Sequence, residues 1–307
     1  MSRVCSTSAN CPWRLAMPRP RETLSSSASL SDDTLPPKVF RSLAELIEEE
    51  IGIRLPESKK TLVESRLRRR LRPLGLQNLK EYASQYLETD LLYVEFPDLI
   101  NALTTNKTDF FREKSHFDLL SEKVIPSFLH EGMGRLRPLR IWSVACSIGA
   151  EPYTLAMVLA EHARLTPGFQ YTIRGFDIDS EALFKARRAI YDLNYLDPIP
   201  ETLRSRYLLR ARAANNHTFR IAPELRRKVQ FFPLNVLTPE WPDEETADII
   251  FCRNVLIYFN RPKQQRALEG LCARLRSGGV LFVGHSESLQ GLTLPVRPFA
   301  SAAYQRL

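Results

Sequence analysis

The chain has 307 residues, of which 44% are hydrophobic and 25% are charged, and its formal net charge is +8. A chain of this length holds one large domain or two, and its composition is that of an ordinary globular protein. No apolar run approaches the roughly 20 residues that a membrane span needs, and the amino terminus lacks the continuous apolar stretch of a secretory signal. The positive charge favours a partner with an acidic surface, either a nucleic acid or a protein.

The cysteines favour the cytoplasm as the location of the protein. There are five of them, and Cys146 and Cys252 lie in apolar, strand-like segments where a small buried thiol is expected. No pair has the spacing of zinc ligands, so the sequence predicts no metal site.

The first part of the chain predicts a tail followed by a helical domain. Residues 1–36 are rich in Ser, Thr, Pro and Arg and lack periodicity, which is typical of disorder. From Val39 onwards apolar residues recur at helical spacing, and two further helical patterns follow at Leu79–Leu87 and Val94–Thr104. Residues 38–105 are therefore predicted to form a small all-helical domain.

A strongly basic helix is predicted within this domain, at Pro56–Leu74. Its apolar stripe consists of Leu62, Val63, Leu67, Leu71 and Leu74. From Lys59 onwards its other faces carry one acid, Glu64, and seven cations, namely Lys59, Lys60, Arg66, Arg68, Arg69, Arg70 and Arg72. Repulsion among these charges weakens an isolated helix, and an anionic partner relieves it. A charged face that simply meets solvent is the alternative, and both interpretations stay open.

The rest of the chain alternates between strand and helix patterns. The stretch Leu139–Tyr153 is typical of a buried strand, a tight turn and a helix that has a proline in its first turn. Further strands are predicted at Gln170–Phe176, Val229–Phe232, Ala247–Cys252 and Val280–Val283. Further helices are predicted at Pro262–Leu275 and at Ser180–Tyr191, with Ser180 as its N-cap. This alternation predicts an α/β fold with a mostly parallel sheet and helices on both faces.

The turn within Leu139–Tyr153 and the acid after the next strand indicate a nucleoside site. Open α/β sheets bind nucleotides at the carboxyl ends of their strands, and an acid at the end of the second strand accepts hydrogen bonds from ribose hydroxyls. Asp177 occupies that position, and a helix cap is its alternative role. The turn holds one glycine, Gly149, and no phosphate-binding motif is present. A nucleoside without phosphates therefore fits best, and S-adenosylmethionine is the commonest cofactor of that kind.

Six stretches together resemble one known family. They are TNKTDFFRE, RIWSVACSIGAEPYTLA, FDID, FFPLNVL, IIFCRNVLIYF and LRSGGVLFVGHSESL, in that order. They are similar to the CheR family, the methyltransferases of chemotaxis receptors, over residues 38–307. The resemblance implies a Rossmann-like methyltransferase domain at 106–307 behind the helical domain, with a small antiparallel β-subdomain inserted at about 204–230.

The resemblance also implies roles for individual residues. Those expected to contact the cofactor are Asn106, Thr108, Arg112, Glu151, Asp177, Asn235, Val236, Arg253 and Asn254. Tyr258 is expected beside the transferred methyl group, with Arg112 as the second residue of the catalytic site. A core aromatic is the alternative for Tyr258, and an interdomain salt-bridge partner is the alternative for Arg112.

The implied reaction is methyl transfer to glutamate side chains on the cytoplasmic helices of chemoreceptors. A glutamate is already ionised at neutral pH, so the reaction needs no general base. The basic helix would then contact the acidic receptor through Lys59, Lys60, Arg66, Arg69 and Arg70. A monomer is expected that binds no nucleic acid and does not insert into a membrane.

Two departures from the family pattern keep alternatives open. Ile148 and Ala150 stand where the family has a hydroxyl residue and a first acid, which bears on cofactor affinity and motivates a non-catalytic signalling domain as an alternative. The loop 211–217, ARAANNH, lacks the glycines of relatives that dock on a receptor tether. An RNA methyltransferase is a further alternative, although the chain lacks a platform of stacking aromatics among its basic residues.

Overall fold

The computed structural model describes residues 33–210 and 217–307. Most of the predicted tail at 1–36 and of the loop 211–217 lies outside the described residues. Within the described ranges, no helix is long and apolar enough to cross a membrane.

The amino-terminal part is all-helical, as predicted. Its helices are α1 (Pro37–Ile51), α2 (Lys60–Leu74), α3 (Leu79–Tyr82) and α4 (Leu91–Leu103). They enclose a core of their own that includes Phe40, Ile47, Leu67, Tyr82 and Leu99. The predicted stripe of α2 is wrong at Leu62, whose surface is 49% exposed. Residues 63, 67 and 71 follow one face at four-residue spacing, and Leu62 lies off that face.

The carboxy-terminal part contains two sheets. Its strands are β1 (Leu139–Val144), β2 (Tyr171–Asp177), β3 (Ile190–Asp192), β4 (Leu208–Arg210), β5 (Thr218–Ile221), β6 (Val229–Pro233), β7 (Ala247–Cys252), β8 (Leu275–Val283), β9 (Val296–Ala300) and β10 (Ala303–Arg306). The large sheet has the order β6-β2-β1-β7-β8-β10-β9. Strands β6 to β8 in this order are parallel, whereas β10 and β9 form an antiparallel hairpin at the edge that the sequence analysis missed.

Helices cover both faces of the large sheet. The helices of this part of the chain are α5 (Ser115–Leu119), α6 (Ile125–His130), α7 (Ala150–Leu165), α8 (Ser180–Arg188), α9 (Glu201–Tyr207), α10 (Pro223–Arg226) and α11 (Arg261–Arg274). Among them, α9 packs beside β4 of the small sheet and α10 packs against α7. Alternate residues of β1 point to opposite faces, so Ile141 joins the core under α7 and Trp142 joins the core under α11. This arrangement confirms the predicted α/β class with a mostly parallel sheet.

The small antiparallel sheet begins earlier than the predicted stretch at 204–230. Its order is β3-β5-β4, and β3 contains Tyr191, which had been predicted to end a helix. Helix α8 stops because Ala189 adopts a left-handed backbone, and Tyr191 then packs against Phe110 and Phe219. The N-cap of α8 is Asp179 rather than Ser180, since its carboxylate accepts a hydrogen bond from the backbone N–H of Ala182 at 2.8 Å.

The helical domain is fastened to the α/β domain at the end of α1. Asn235 donates a hydrogen bond to the carbonyl of Glu50 at 2.8 Å, and Lys263 donates one to the carbonyl of Glu48. Gly52 ends α1 with φ of 79° and lies directly against Phe259, to which a Cβ atom on Gly52 would approach within 2.7 Å. The contact between the domains therefore requires glycine at this position.

We expect Gly52→Ala to loosen this contact, whereas Gly75→Ala serves as the matched control. Gly75 also has a left-handed φ, of 70°, but nothing lies within 4 Å of its Cβ position. The control should lose about 1 kcal/mol of unfolding free energy from backbone strain, and Gly52→Ala should lose a further ~1–3 kcal/mol from overpacking. Urea denaturation measures both, and equal losses would show that the Gly52 contact does not constrain the domains.

Candidate functional site

A cavity lies at the carboxyl ends of β1, β2 and β7, where the helical domain closes over the sheet. The turn after β1, the ends of β2 and β7 and the segment 104–112 between the domains form its walls, and Ile51 and Ile53 from the end of α1 also line it. The carboxyl edge of a parallel sheet is where folds of this type bind ligands. The cavity is therefore the candidate site.

Asp177, at the end of β2, lines the cavity and holds the turn after β1. Its carboxylate accepts hydrogen bonds from the backbone N–H of Ser147 at 2.6 Å and of Asp179 at 2.9 Å. Burial raises the pKa of Asp177 to about 6, although these hydrogen bonds oppose the shift. The carboxylate is thus ionised at neutral pH and retains lone pairs that a ligand hydroxyl can reach.

Arg253, which is buried, joins two partly buried carboxylates at the cavity. Its guanidinium contacts Glu151 at 2.9 Å and Glu113 at 3.0 Å, and its side chain is 2% exposed. Ser143 donates a hydrogen bond to the other oxygen of Glu151 at 2.6 Å. Burial raises the pKa of Glu151 against the opposing charge of Arg253. The pKa of Glu113 is lowered, because hydrogen bonds from Asn254 and Arg253 and the charge of Arg253 outweigh the effect of its burial.

Glu287 fixes the turn after β7 and was missed by the sequence analysis. This buried carboxylate accepts hydrogen bonds from the backbone N–H groups of Gly284 at 2.6 Å, Asn254 at 2.9 Å and Leu256 at 2.7 Å. Asn254 needs this support because its φ is 59°. The available signal was an acid just beyond a strand, in the stretch LRSGGVLFVGHSESL.

All the residues predicted for the cofactor and the reaction line this one cavity. They are Asn106, Thr108, Arg112, Glu151, Asp177, Asn235, Val236, Arg253, Asn254 and Tyr258. Arg112 forms no ion pair within the described chain and donates a hydrogen bond to the carbonyl of Lys107 at 3.1 Å, so the salt-bridge alternative finds no partner. Tyr258 is partly exposed, and its hydroxyl has no hydrogen-bond partner among the described residues, whereas Phe259 belongs to the core.

Ile148 and Ala150 do not line the cavity. The carbonyl of Ile148 accepts a hydrogen bond from Tyr191 at 2.7 Å, and its side chain packs against the core under α7. Ala150 is fully buried in that core. The two departures from the family pattern are therefore accommodated away from the cavity, which removes their support for a non-catalytic domain.

The basic residues of α2 lie outside the cavity and differ in their partners. Arg70 forms ion pairs with Glu95 at 2.8 Å and Asp98 at 2.6 Å, and Arg66 donates hydrogen bonds to Thr104 and Thr105 at 3.0 Å. The charge of Arg70 is therefore balanced by two acids within the fold, whereas Arg66 forms no ion pair among the described residues. That both residues contact a partner stays a prediction.

Of the other basic side chains on α2 and directly before it, some have an acidic partner among the described residues and some have none. Arg68 pairs with Asp33 at 3.3 Å, and Lys60 lies 3.9 Å from Glu64. Lys59 and Arg69 are exposed and form no ion pair within the described chain. Lys59 also lines a small groove next to the cavity, which Tyr258 shares.

Comparison with known proteins agrees with this architecture. Residues 106–304 match the family model described as CheR methyltransferase, SAM binding domain, and residues 38–104 match the one described as CheR methyltransferase, all-alpha domain. The fold and the cavity thus define an S-adenosylmethionine-dependent methyltransferase that carries an added helical domain.

Two curated relatives are similar over most of their length. The chain is 41% identical over 266 residues to chemotaxis protein methyltransferase 2 of Pseudomonas aeruginosa, which covers 86% of this chain and 91% of that protein. It is 39% identical over 253 residues to the chemotaxis protein methyltransferase of Escherichia coli, which covers 82% of this chain and 85% of that protein. The chain belongs to the CheR methyltransferase family, and its cofactor is S-adenosylmethionine.

We expect Glu287→Gln to destabilise the protein by about 2–3 kcal/mol, because an amide cannot accept all the hydrogen bonds of this buried carboxylate. The turn that presents Arg253 and Asn254 should then loosen, and the dissociation constant of S-adenosylhomocysteine should rise. Glu122→Gln is the matched control at an exposed position without such contacts. Thermal unfolding and calorimetric titration measure the two effects, and a variant as stable as the control would contradict the role assigned to Glu287.

Proposed function

We propose that the protein transfers the methyl group of S-adenosylmethionine to glutamate side chains on the cytoplasmic helices of chemoreceptors. The products are glutamate 5-O-methyl esters and S-adenosylhomocysteine. The names of the relatives from P. aeruginosa and E. coli, which are chemotaxis protein methyltransferases, support this receptor class. The observation that carries the proposal is that Arg112 and Tyr258 line the same cavity. Neither side chain has a carboxylate partner in the described structure.

The reaction requires alignment more than proton transfer. S-adenosylmethionine, when bound, would supply a methyl group on a positively charged sulfonium, and the sulfur would leave as the neutral thioether of S-adenosylhomocysteine when the carboxylate oxygen bonds to the methyl carbon. A glutamate carboxylate, with a pKa near 4.3, is already a nucleophile at neutral pH. Arg112 binds one oxygen of the incoming carboxylate by a charge-assisted hydrogen bond, and the free hydroxyl of Tyr258 donates to the other. Closure by the helical domain excludes water and fixes the direction of attack.

The residues of the cavity fit the parts of the cofactor. Asp177 accepts hydrogen bonds from the ribose hydroxyls, and Asn235 and Val236 flank the adenine. Glu151, held by Arg253, places negative charge opposite the positive end of the cofactor. Asn106, Thr108 and Asn254 complete the pocket wall, and we propose that the helical domain ends at residue 105, just before them.

Receptor docking is assigned to the exposed cations on α2 and directly before it. Lys59 and Arg69 are free of internal partners, and Lys59 lies beside the groove that leads to Tyr258. Lys60 adds a weaker contribution because Glu64 lies near it. Acidic receptor helices would be steered to this face, which raises the rate of encounter.

The direct test of this function is transfer of a labelled methyl group from S-adenosylmethionine to membranes that carry the chemoreceptors of the same organism. We expect label on the receptor band, released as methanol by mild base, because esters hydrolyse there and N-methyl groups do not. Tyr258→Phe should reduce the initial rate about tenfold with little change in cofactor affinity. Base-stable label would contradict carboxyl methylation.

The charge of Asp177 predicts a pH dependence of cofactor binding. The pKa of Asp177 is raised to about 6, so the carboxylate becomes protonated and loses acceptor capacity as the pH falls below that value. The dissociation constant of S-adenosylhomocysteine should therefore rise between pH 7.5 and pH 5.5. Asp177→Asn should bind S-adenosylhomocysteine about tenfold more weakly, and its dissociation constant should not change with pH in this range. Asp118→Asn, at the surface, should show the same pH dependence as the parent chain. An unchanged profile in Asp177→Asn would show that Asp177 is not the group whose protonation weakens binding.

The docking face is tested by the double reversal Lys59→Glu and Arg69→Glu. Receptor methylation at low salt should fall about tenfold or more, and binding of S-adenosylhomocysteine should not change. The matched control reverses Lys123 and Arg135, which are exposed on the α/β domain and alter the net charge equally. Equal losses in both variants would mean that overall charge, rather than this face, attracts the receptor.

A further inference from the structure

Three potential metal ligands lie together just outside the cofactor cavity. They are Glu113 from the segment between the domains, His116 at the start of α5 and His285 in the turn after β8. We propose that Glu113, His116 and His285 form a binding site for a divalent transition-metal ion such as zinc, and that occupation of this site weakens binding of the cofactor. The spacing of the cysteines gave no sign of this site, because its ligands are one carboxylate and two imidazoles from segments far apart in the sequence.

The distances between the ligand atoms suit one metal ion. Each of the three side chains offers one ligand atom, and these atoms all lie within 4.8 Å of one another. His116 Nδ1 and Glu113 Oε2 are 3.5 Å apart. Neighbouring ligand atoms in a tetrahedral zinc site with bonds of 2.0–2.2 Å are about 3.3–3.6 Å apart. This pair therefore already has the spacing of two zinc ligands, and the exposed His285 needs a side-chain adjustment to join them.

The second observation in favour of a metal site is that His116 is buried without a hydrogen-bond partner among the described residues. Its side chain is 1% exposed, and neither of its ring nitrogens has a hydrogen-bond partner in the described part of the chain. A buried polar group without a partner costs free energy, and such groups in native proteins call for an explanation. A metal ion would satisfy one nitrogen of His116. His285 is exposed and hydrogen-bonded to Ser115 at 3.0 Å, so the site has an entry path from solvent.

The site is coupled to the cofactor cavity through Glu113. The carboxylate of Glu113 binds the guanidinium of Arg253 at 3.0 Å and the side-chain amide of Asn254 at 3.1 Å, and both of these residues line the cavity. A metal ion on Glu113 competes with these contacts and repels the guanidinium of Arg253. The two ligands therefore oppose each other, and the effect is reciprocal because both act on one equilibrium.

The experiment is a zinc titration of the full chain against a chromophoric chelator. Cys5 and Cys11 are changed to Ser, since thiolates are themselves zinc ligands. We expect the parent chain to bind one equivalent of zinc. His285→Ala should bind zinc at least about tenfold more weakly, because even the loss of a residue that only hydrogen-bonds to a metal ligand reduces metal affinity by that factor. His285 is exposed, so its variant should fold, and His130→Ala is the matched control at another exposed histidine.

A second titration measures the coupling. Zinc should raise the dissociation constant of S-adenosylhomocysteine in the parent chain and in His130→Ala, but much less in His285→Ala. In the reverse titration, S-adenosylhomocysteine should raise the dissociation constant of zinc by the same factor. Absence of a zinc equivalent, or equal zinc affinity in His285→Ala and His130→Ala, would overturn the site, and zinc binding that leaves cofactor affinity unchanged would overturn the coupling.

Discussion

The ion pairs of the buried Arg253 are the interaction on which the cavity depends. This one guanidinium links the end of β7, the first turn of α7 through Glu151, and the segment between the domains through Glu113. Removal of any partner leaves an uncompensated charge in a buried place, which is far more costly than loss of a surface pair. The three segments that build the wall are therefore fixed relative to one another before any ligand binds.

Backbone strain is concentrated around the same cavity. Of the seven non-glycine residues with positive φ in the described chain, four lie in the segments that form it, namely Phe111, Ala145, Ser147 and Asn254, and a fifth, Glu113, directly follows one of these segments. Each such conformation costs on the order of 1–3 kcal/mol, and it persists where surrounding contacts impose it. Here Asp177 and Glu287 supply those contacts through the backbone N–H groups of Ser147 and Asn254. This support explains how the turn after β1 forms with Gly149 as its single glycine.

The sequence predicted those parts of the fold whose signal is local. The helices α1 and α2 and the strands β1 and β7 follow from their apolar periodicity, and Asp177 follows from its place after the second strand. The contacts that the sequence did not predict join residues that are far apart in the chain. For example, the sequence around Arg70 does not indicate that its two acidic partners, Glu95 and Asp98, lie on α4.

The hairpin β9–β10 failed for a related reason. Its strand β9 is mostly exposed and contains Arg297 and Pro298, so it lacks the apolar pattern of a buried strand. Apart from Asp177, the residues lining the cavity were reached through resemblance rather than through spacing, because they come from segments that only the fold brings together.

The most direct test of the account is an experimental structure of the protein with S-adenosylhomocysteine. If the cavity binds the cofactor as proposed, the ribose hydroxyls will lie within hydrogen-bond distance of Asp177, the adenine will lie beside Val236, and the sulfur will face Tyr258. The end of α1 will also cover the ligand through Ile51 and Ile53. A ligand bound elsewhere, or one in this cavity with its ribose away from Asp177 and its sulfur away from Tyr258, would contradict this proposal.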